Sequence, residues 1–157
     1  MSALAEGIRR AVESVPDPEL GGVTIGDLGL VVDLVVSPDG AVTVELTPTF
    51  LGCPALGLIA ADVRAAALAA GARSAEVRYV HVPIWETARI SDRGRHQLAD
   101  RGIAVPTGAG DVCCPFCGGD VLTEAAPVGP TACRSVLWCE SCRNVVEMMR
   151  GISYAHV

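Results

Sequence analysis

Apolar residues along the first hundred positions follow two different periods, one typical of helices and one typical of strands. Helices are predicted at residues 2–15, 54–70 and 91–101, and strands at residues 30–36, 41–47 and 75–82. The segment 54–70 is the clearest helix because Ala and Leu dominate it and apolar residues recur every third or fourth position. The turn Ser37-Pro38-Asp39-Gly40 joins the first two strands and suits a type I turn, so these strands predict an antiparallel hairpin.

This order of elements predicts an α+β fold: a small α-β-β-α-β domain in which the helices cover one face of a sheet. The composition becomes typical of a linker over 102–112, and a compact cysteine-rich tail follows. We therefore expect a first domain at residues 1–106 and a four-cysteine, zinc-ribbon-like module at residues 107–157.

Composition and charge exclude several classes of protein. Of the 157 residues 50% are hydrophobic, which excludes intrinsic disorder, and no apolar run reaches the roughly 18 residues of a membrane span. The first ten residues are too charged for a signal peptide, so a soluble, cytoplasmic protein is expected. The net charge of -6 argues against binding nucleic acid or anionic membranes. All 12 basic residues are Arg, which excludes Schiff-base and P-loop chemistry.

The cysteine count indicates metal or thiol chemistry. The chain contains Cys53, Cys113, Cys114, Cys117, Cys133, Cys139 and Cys142. An odd number of cysteines without a secretory signal argues against a disulfide framework and favours a reducing compartment.

Two C-x2-C pairs in the tail predict one metal site. Cys114 and Cys117 precede Cys139 and Cys142, with 21 residues between the pairs, and two such turns supply four thiolates in a tetrahedron. Structural zinc is the leading interpretation; a rubredoxin-like iron site and redox dithiols or disulfides are the alternatives. Cys113 would replace Cys114 only in a less usual C-x3-C turn, and Cys133 is predicted to be a buried thiol.

The tail is acidic, which bears on its partners. From the linker onward the chain contains five acidic residues and three arginines, which gives a net charge of -2. These are Asp111, Asp120, Glu124, Glu140 and Glu147 against Arg134, Arg143 and Arg150. Because zinc ribbons that bind nucleic acid are basic, a protein partner or a purely structural role is expected.

Cys53 lies apart from the other cysteines, between a predicted strand and the helix at 54–70. A thiol at a helix N-terminus faces unpaired N–H groups, which stabilise a thiolate. Two interpretations follow from this position: a nucleophile or soft-metal ligand, and a small buried residue next to the helix.

Several segments between residues 14 and 106, taken together and in order, resemble the metal–sulfur cluster assembly domain family. They are Asp17-Pro18-Glu19, Val23–Val31, Thr47–Thr49 with Gly52–Pro54, Ile84–Ser91, Gly94-Arg95 and Gly102-Ile103. Cys53 matches the characteristic cysteine of the family, and its other polar positions match Asp17, Asp27 and Thr49. One position departs from the family: Ala88 stands where an acidic residue is usual, and Glu86 is the nearby substitute.

With the four-cysteine tail appended, the chain resembles accessory proteins of the multicomponent oxygenase that epoxidises phenylacetyl-CoA during bacterial phenylacetate degradation. The resemblance implies a cytoplasmic, non-catalytic factor that assists iron–sulfur or iron-centre maturation through transient iron or a cluster on Cys53. The implied partners are the di-iron catalytic subunit or the iron–sulfur reductase. Since clusters usually need four cysteine ligands, a homodimer or the partner's own ligands would complete the site. The alternatives are a docking or regulatory subunit and a rubredoxin-like electron-transfer or thiol protein.

Overall fold

The computed structural model describes residues 2–107 and 110–151. The chain forms two compact units: Met1–Pro48 with Pro54–Ile84, and Thr49–Cys53 with Trp85–Val157. The expected boundary between residues 106 and 107 stays a prediction.

The first unit contains two helices and a mixed three-stranded sheet. Its elements are α1 (Ala3–Glu13), β1 (Val31–Val36), β2 (Ala41–Leu46), α2 (Leu56–Ala69) and β3 (Ser74–Tyr79). The strand order is β1-β2-β3, with β1 antiparallel and β3 parallel to the central β2. The α+β prediction is confirmed, and so is the predicted hairpin: the Gly40 N–H donates to the Ser37 carbonyl at 2.9 Å.

Alternation along β2 places one face of the sheet in the core. Val42, Val44 and Leu46 are buried, while the residues between them are half-buried, as expected for a strand covered on one face. α1 contacts both α2 and β1, and α2 contacts β3. The Ser2 hydroxyl caps α1 by accepting from the Ala5 N–H at 3.2 Å, which satisfies one unpaired helix donor.

The loop between α1 and β1 belongs to the core rather than to the surface. Leu20, Val23, Ile25 and Leu28 are buried within it. The backbone N–H groups of Ile25 and Gly26 donate to the carbonyls of Val15 and Glu13. These hydrogen bonds attach the loop to the end of α1.

Gly26→Ala is expected to lower the free energy of unfolding by about 1–3 kcal/mol, the usual cost of overpacking. A Cβ at this position would lie 2.6 Å from the Glu13 carbonyl oxygen. Gly7→Ala is the matched control, because a Cβ there meets nothing within 4 Å and alanine favours a helix interior by about 0.5–1 kcal/mol. Urea unfolding followed by circular dichroism measures both; equal midpoints would contradict the close fit of Gly26.

The second unit contains a helix and a four-stranded sheet. Its elements are a 3-10 turn (Thr87–Arg89), α3 (Asp92–Ala99), β4 (Ile103–Ala104), β5 (Leu122–Ala126), β6 (Arg134–Cys139) and β7 (Val145–Met149). The strand order is β4-β7-β6-β5; β5, β6 and β7 form an antiparallel meander, and β4 joins β7 in parallel. Part of the segment interpreted as a linker is therefore a strand, because Ile103 and Ala104 pair with Glu147 and Met148.

No helix in the described part of the chain has both the length and the apolar composition required to cross a membrane.

Candidate functional site

The four cysteines of the two C-x2-C pairs converge in the second unit. Cys114 and Cys117 come from the loop before β5, Cys139 ends β6, and Cys142 lies in the turn to β7. Their Sγ atoms all lie within 4.8 Å of one another, with 3.7 Å between Cys114 and Cys142 and 3.6 Å between Cys117 and Cys139. Within residues 2–107 and 110–151, this is the one cluster of three or more cysteine, histidine or acidic side chains that are close enough to share a metal ion.

The cluster fits a tetrahedral metal ion by geometry and by donor type. With Zn–S bonds of about 2.3 Å, a tetrahedron has sulfur–sulfur edges of about 3.8 Å, close to the two distances above. Zinc and iron both accept four thiolates in this arrangement. The ion would be bound at one edge of the ribbon core, since Cys114 and Cys139 are buried whereas Cys117 is exposed.

Hydrogen bonds to sulfur support the two turns in the same way. The Gly119 N–H donates to Cys117 Sγ at 3.4 Å, and the Asn144 side-chain amide donates to Cys142 Sγ at 3.5 Å. Donors to metal-bound thiolates orient the ligands and stabilise their charge. Sequence reasoning missed Asn144, although Gly119 and Asn144 both lie two residues after the second cysteine of a pair.

Hydrogen bonds among the thiols separate the pKa values of two cysteines. The Gly119 N–H lowers the pKa of Cys117, but hydrogen bonds with the other thiols, Cys142 first among them, raise it to about 12. The Asn144 side chain and backbone lower the pKa of Cys142 to about 6. Four thiolates at these distances repel one another, so a cation is needed to stabilise them together.

The residue after each pair has a left-handed backbone conformation. Gly118 has φ +74° and Arg143 has φ +60°, a region that glycine adopts without strain. The second C-x2-C turn therefore has arginine, which is strained in this backbone conformation, at the position where the first turn has glycine.

Arg143→Gly is expected to raise the free energy of unfolding by about 1 kcal/mol, because a side chain in the left-handed region costs about that amount. Gly118→Ala is the mirror-image control and should lower it by a similar amount, since open space surrounds Gly118 and only the backbone is affected. Urea unfolding of the metal-loaded protein measures both. A loss of stability in Arg143→Gly would contradict the strain.

The two remaining cysteines of the tail lie outside the cluster. Cys113 is exposed, and Cys133 is buried with its Sγ 3.1 Å from the Thr131 hydroxyl. The sequence interpretation left both out of the metal site.

Cys53 lies in a short loop with an apolar, exposed flank. The Cys53 N–H donates to the Phe50 carbonyl at 3.2 Å, and Cys53 is half-buried while Phe50 and Leu51 are 39% and 59% exposed. A Cβ on Gly52 would lie 2.8 Å from the Phe50 ring, so glycine allows the ring to pack over the loop. α2 begins at Leu56 with Ala55 as its N-cap. The expectation that the helix starts directly after Cys53 is therefore wrong by two residues.

The polar residues named with Cys53 have identifiable local roles. Asp17 is buried and accepts hydrogen bonds from the N–H groups of Glu19 and Leu20 at 2.8 and 3.1 Å. The Thr24 hydroxyl donates to Asp27 at 3.0 Å. Both carboxylates thus order turns of the first unit, and Thr49 lies with Cys53 in the second unit.

The segment with the family departure is anchored by its tryptophan. Trp85 is completely buried, whereas Glu86 and Ala88 are exposed. Glu86 is the N-cap residue of the 3-10 turn Thr87–Arg89, and its side chain is exposed to solvent there.

Two protein-family models match the chain, one in its first part and one in its cysteine-rich tail. The family model described as iron-sulfur cluster assembly protein matches residues 5–79, and the PaaD zinc beta ribbon domain matches residues 100–150. One solved structure that resembles the chain is a domain of unknown function, DUF59, from Bacillus anthracis (33% identity, TM-score 0.57, 61% of this chain and 92% of that chain). Another is the conserved hypothetical protein TM0487 from Thermotoga maritima (30% identity, TM-score 0.52, 62% of this chain and 94% of that chain).

Among relatives whose function has been described, some align with only the first part of this chain and one aligns with nearly all of it. The Fe-S protein maturation auxiliary factor YitW of Bacillus subtilis is 40% identical over 90 residues, which are 57% of this chain and 87% of that protein. An Escherichia coli K12 protein, provisionally described as a component of 1,2-phenylacetyl-CoA epoxidase, is 31% identical over 148 residues, 90% of this chain and 89% of that protein. The chain therefore belongs to the family of this Escherichia coli protein, in which an iron–sulfur cluster assembly domain is joined to a PaaD zinc ribbon.

Proposed function

We propose that this protein is a non-catalytic accessory factor of a phenylacetyl-CoA epoxidase, and that it helps to mature an iron or iron–sulfur centre of that oxygenase. The observation that carries the proposal is the similarity to the Escherichia coli epoxidase component along 90% of the chain. The names of the shorter relatives, which are Fe-S protein maturation auxiliary factors, support the maturation role.

Cys53 is the residue that would hold the iron or the cluster during transfer. Cys53 is half-buried in a loop whose Phe50 and Leu51 are exposed, and a partner protein would approach it on this apolar flank. A single thiolate binds iron weakly, because stable clusters usually need four cysteine ligands. Weak binding suits a carrier: the iron–sulfur bond to Cys53 breaks as a bond to a ligand of the client forms. The remaining ligands would come from a second copy of the chain or from the client, either the di-iron subunit or the iron–sulfur reductase.

The four-cysteine cluster would hold structural zinc. Cys114, Cys117, Cys139 and Cys142 would be its ligands. Zinc has no redox chemistry in proteins, so the ion would stabilise the ribbon and leave the transfer to Cys53. A colourless protein with one zinc per chain would support this assignment. A coloured protein that accepts one electron reversibly would contradict it and favour the rubredoxin-like alternative.

Cys53→Ser is expected to leave folding unchanged and to lower epoxidase activity strongly in cells that depend on this protein. The substitution removes the thiolate but retains the size of the side chain. Cys113→Ser is the matched control, since that cysteine is exposed and lies outside the cluster. Cys113 lines a groove on the ribbon sheet, so binding to the oxygenase is measured for both variants. The measurements are epoxidase turnover and the iron content of each oxygenase component, at equal levels of the variant proteins.

The outcomes of this experiment separate the two candidate roles. A client component that is deficient in iron only with Cys53→Ser supports the carrier role and identifies the client. Full activity with Cys53→Ser, together with a stable complex with the oxygenase, would exclude the carrier role and favour a docking subunit.

A further inference from the structure

A groove lies on the ribbon sheet of the second unit. Cys53 is not among its lining residues, and the proposed function does not use the groove. Its volume is about 670 Å³. Apolar side chains line its floor: Val112, Leu122, Leu137 and Met148. Carboxylates stand at its margin: Asp111, Asp120 and Glu124. All three carboxylate residues are exposed.

The register of the strands explains why the floor is apolar and one margin is acidic. Leu137 of β6 pairs with Glu124 of β5 and with Val146 of β7, and paired residues of adjacent strands share a face. Leu122 lies two residues from Glu124, and Met148 two residues from Val146, so both are on that same face. Val112, Leu122 and Met148 also pack against the buried core of the ribbon, which fixes the floor in place.

The margin is negative and lacks compensating cations. In the part of the chain that the structure describes, no arginine lies within salt-bridge distance of Asp111, Asp120 or Glu124. These carboxylates also do not converge on a shared ion, because the described residues contain no metal-ligating cluster other than the four cysteines. The groove would repel phosphates and acyl-CoA molecules, and its charge is complementary to a cationic ligand.

We propose that this groove docks an extended basic segment of a partner protein. One aliphatic side chain of the segment rests on the floor between Leu122 and Met148. Flanking arginine or lysine side chains pair with Asp111, Asp120 and Glu124. A volume of this size is within the roughly 300–1,000 Å³ of ordinary binding sites. The proposal concerns a different surface from Cys53 and stands whether or not that residue carries iron.

The test uses the full-length, zinc-loaded protein and a fluorescein-labelled peptide of alternating arginine and leucine. The triple variant Asp111→Asn/Asp120→Asn/Glu124→Gln is expected to weaken binding at least about tenfold, measured by fluorescence anisotropy at about 0.15 M salt, where the Debye length is about 8 Å and only charges close to the peptide contribute. The control Glu6→Gln/Asp62→Asn/Asp100→Asn changes the net charge equally at exposed positions outside the groove. It should change binding by less than about twofold, since these charges do not line the groove and are screened at this salt concentration.

A second peptide, with serine in place of leucine, tests the floor and is expected to bind at least about fivefold more weakly, because it buries less apolar surface. Equal weakening by the two triple variants would overturn the proposal, since net charge alone would then explain binding. Equal binding of the two peptides would also overturn it, as would complete absence of binding. Displacement of the peptide by millimolar Mg²⁺ at constant ionic strength would identify a cation site and overturn it too.

Discussion

Cys117→Ser is expected to reduce the metal affinity of the protein several hundredfold and to destabilise β5, β6 and β7. Structural zinc contributes about 10–16 kcal/mol of apparent binding energy in small modules, and one of four ligands accounts for about 2.5–4 kcal/mol of it. The ribbon would depend on that energy because its buried core is small. The core cluster consists of Ala104, Cys114, Leu137, Cys139 and Val146, so two of its five residues are themselves cysteines of the metal site.

The choice of Cys117 separates loss of a ligand from loss of packing. Cys117 is exposed, so serine in its place creates no cavity. Cys113→Ser is the matched control, because Cys113 is exposed, lies four positions earlier and is outside the cluster. Metal content of the purified proteins and competition with a chromophoric chelator measure the affinity, and circular dichroism measures the structure.

The same experiment has a defined pH dependence. The four thiols must release their protons to bind the ion, so metal affinity should fall as the pH falls. The Cys142 thiol, whose pKa is lowered to about 6, gives up its proton at lower pH than Cys117, whose pKa is raised to about 12. Equal metal retention by Cys117→Ser and Cys113→Ser would show that the four cysteines do not act as one ligand set.

Local patterns in the sequence were sufficient for the features that local physics determines. Ser2 caps α1, and Ser37 to Gly40 form the turn between β1 and β2, as their residue types predict. The C-x2-C spacing likewise indicated which four sulfurs come together, because each turn brings two thiolates to the same side of the chain.

Features that depend on distant partners were not predictable in this way. Ile103 and Ala104 form a strand only because β7, some forty positions later, provides the hydrogen-bonding partner, and nothing in the composition of 102–112 distinguishes them from a linker. The left-handed conformation of Arg143 was hidden for a related reason. The geometry of the second turn overrides the preference of its residue, whereas the first turn has a glycine, which adopts the same geometry without strain.

Trp85→Ala is expected to lower the free energy of unfolding by about 3–5 kcal/mol, the usual range for removing a buried aromatic side chain. Trp85 is fully buried and is the largest of the fully buried side chains. Its segment carries part of the family pattern, and a tryptophan there has two roles to distinguish: an aromatic contact to a partner and an anchor to the core. Complete burial favours the anchor.

Stability and binding measurements distinguish these two roles. If Trp85 is an anchor, Trp85→Ala unfolds at a much lower urea concentration than the unmodified protein. Trp85→Phe recovers part of the lost stability by refilling the cavity. Leu58→Ala has almost no effect on the urea midpoint. Leu58 is 52% exposed, and surface substitutions usually change stability by less than about 0.5 kcal/mol. If Trp85→Ala unfolded at the same urea concentration as Leu58→Ala but failed to bind the oxygenase, Trp85 would be a partner contact that becomes exposed on binding. Glu86 follows Trp85 directly in the chain, so the anchor role would also hold Glu86 on a fixed turn. The comparison of Trp85→Ala with Leu58→Ala therefore also tests whether the turn that carries Glu86 is fixed or mobile.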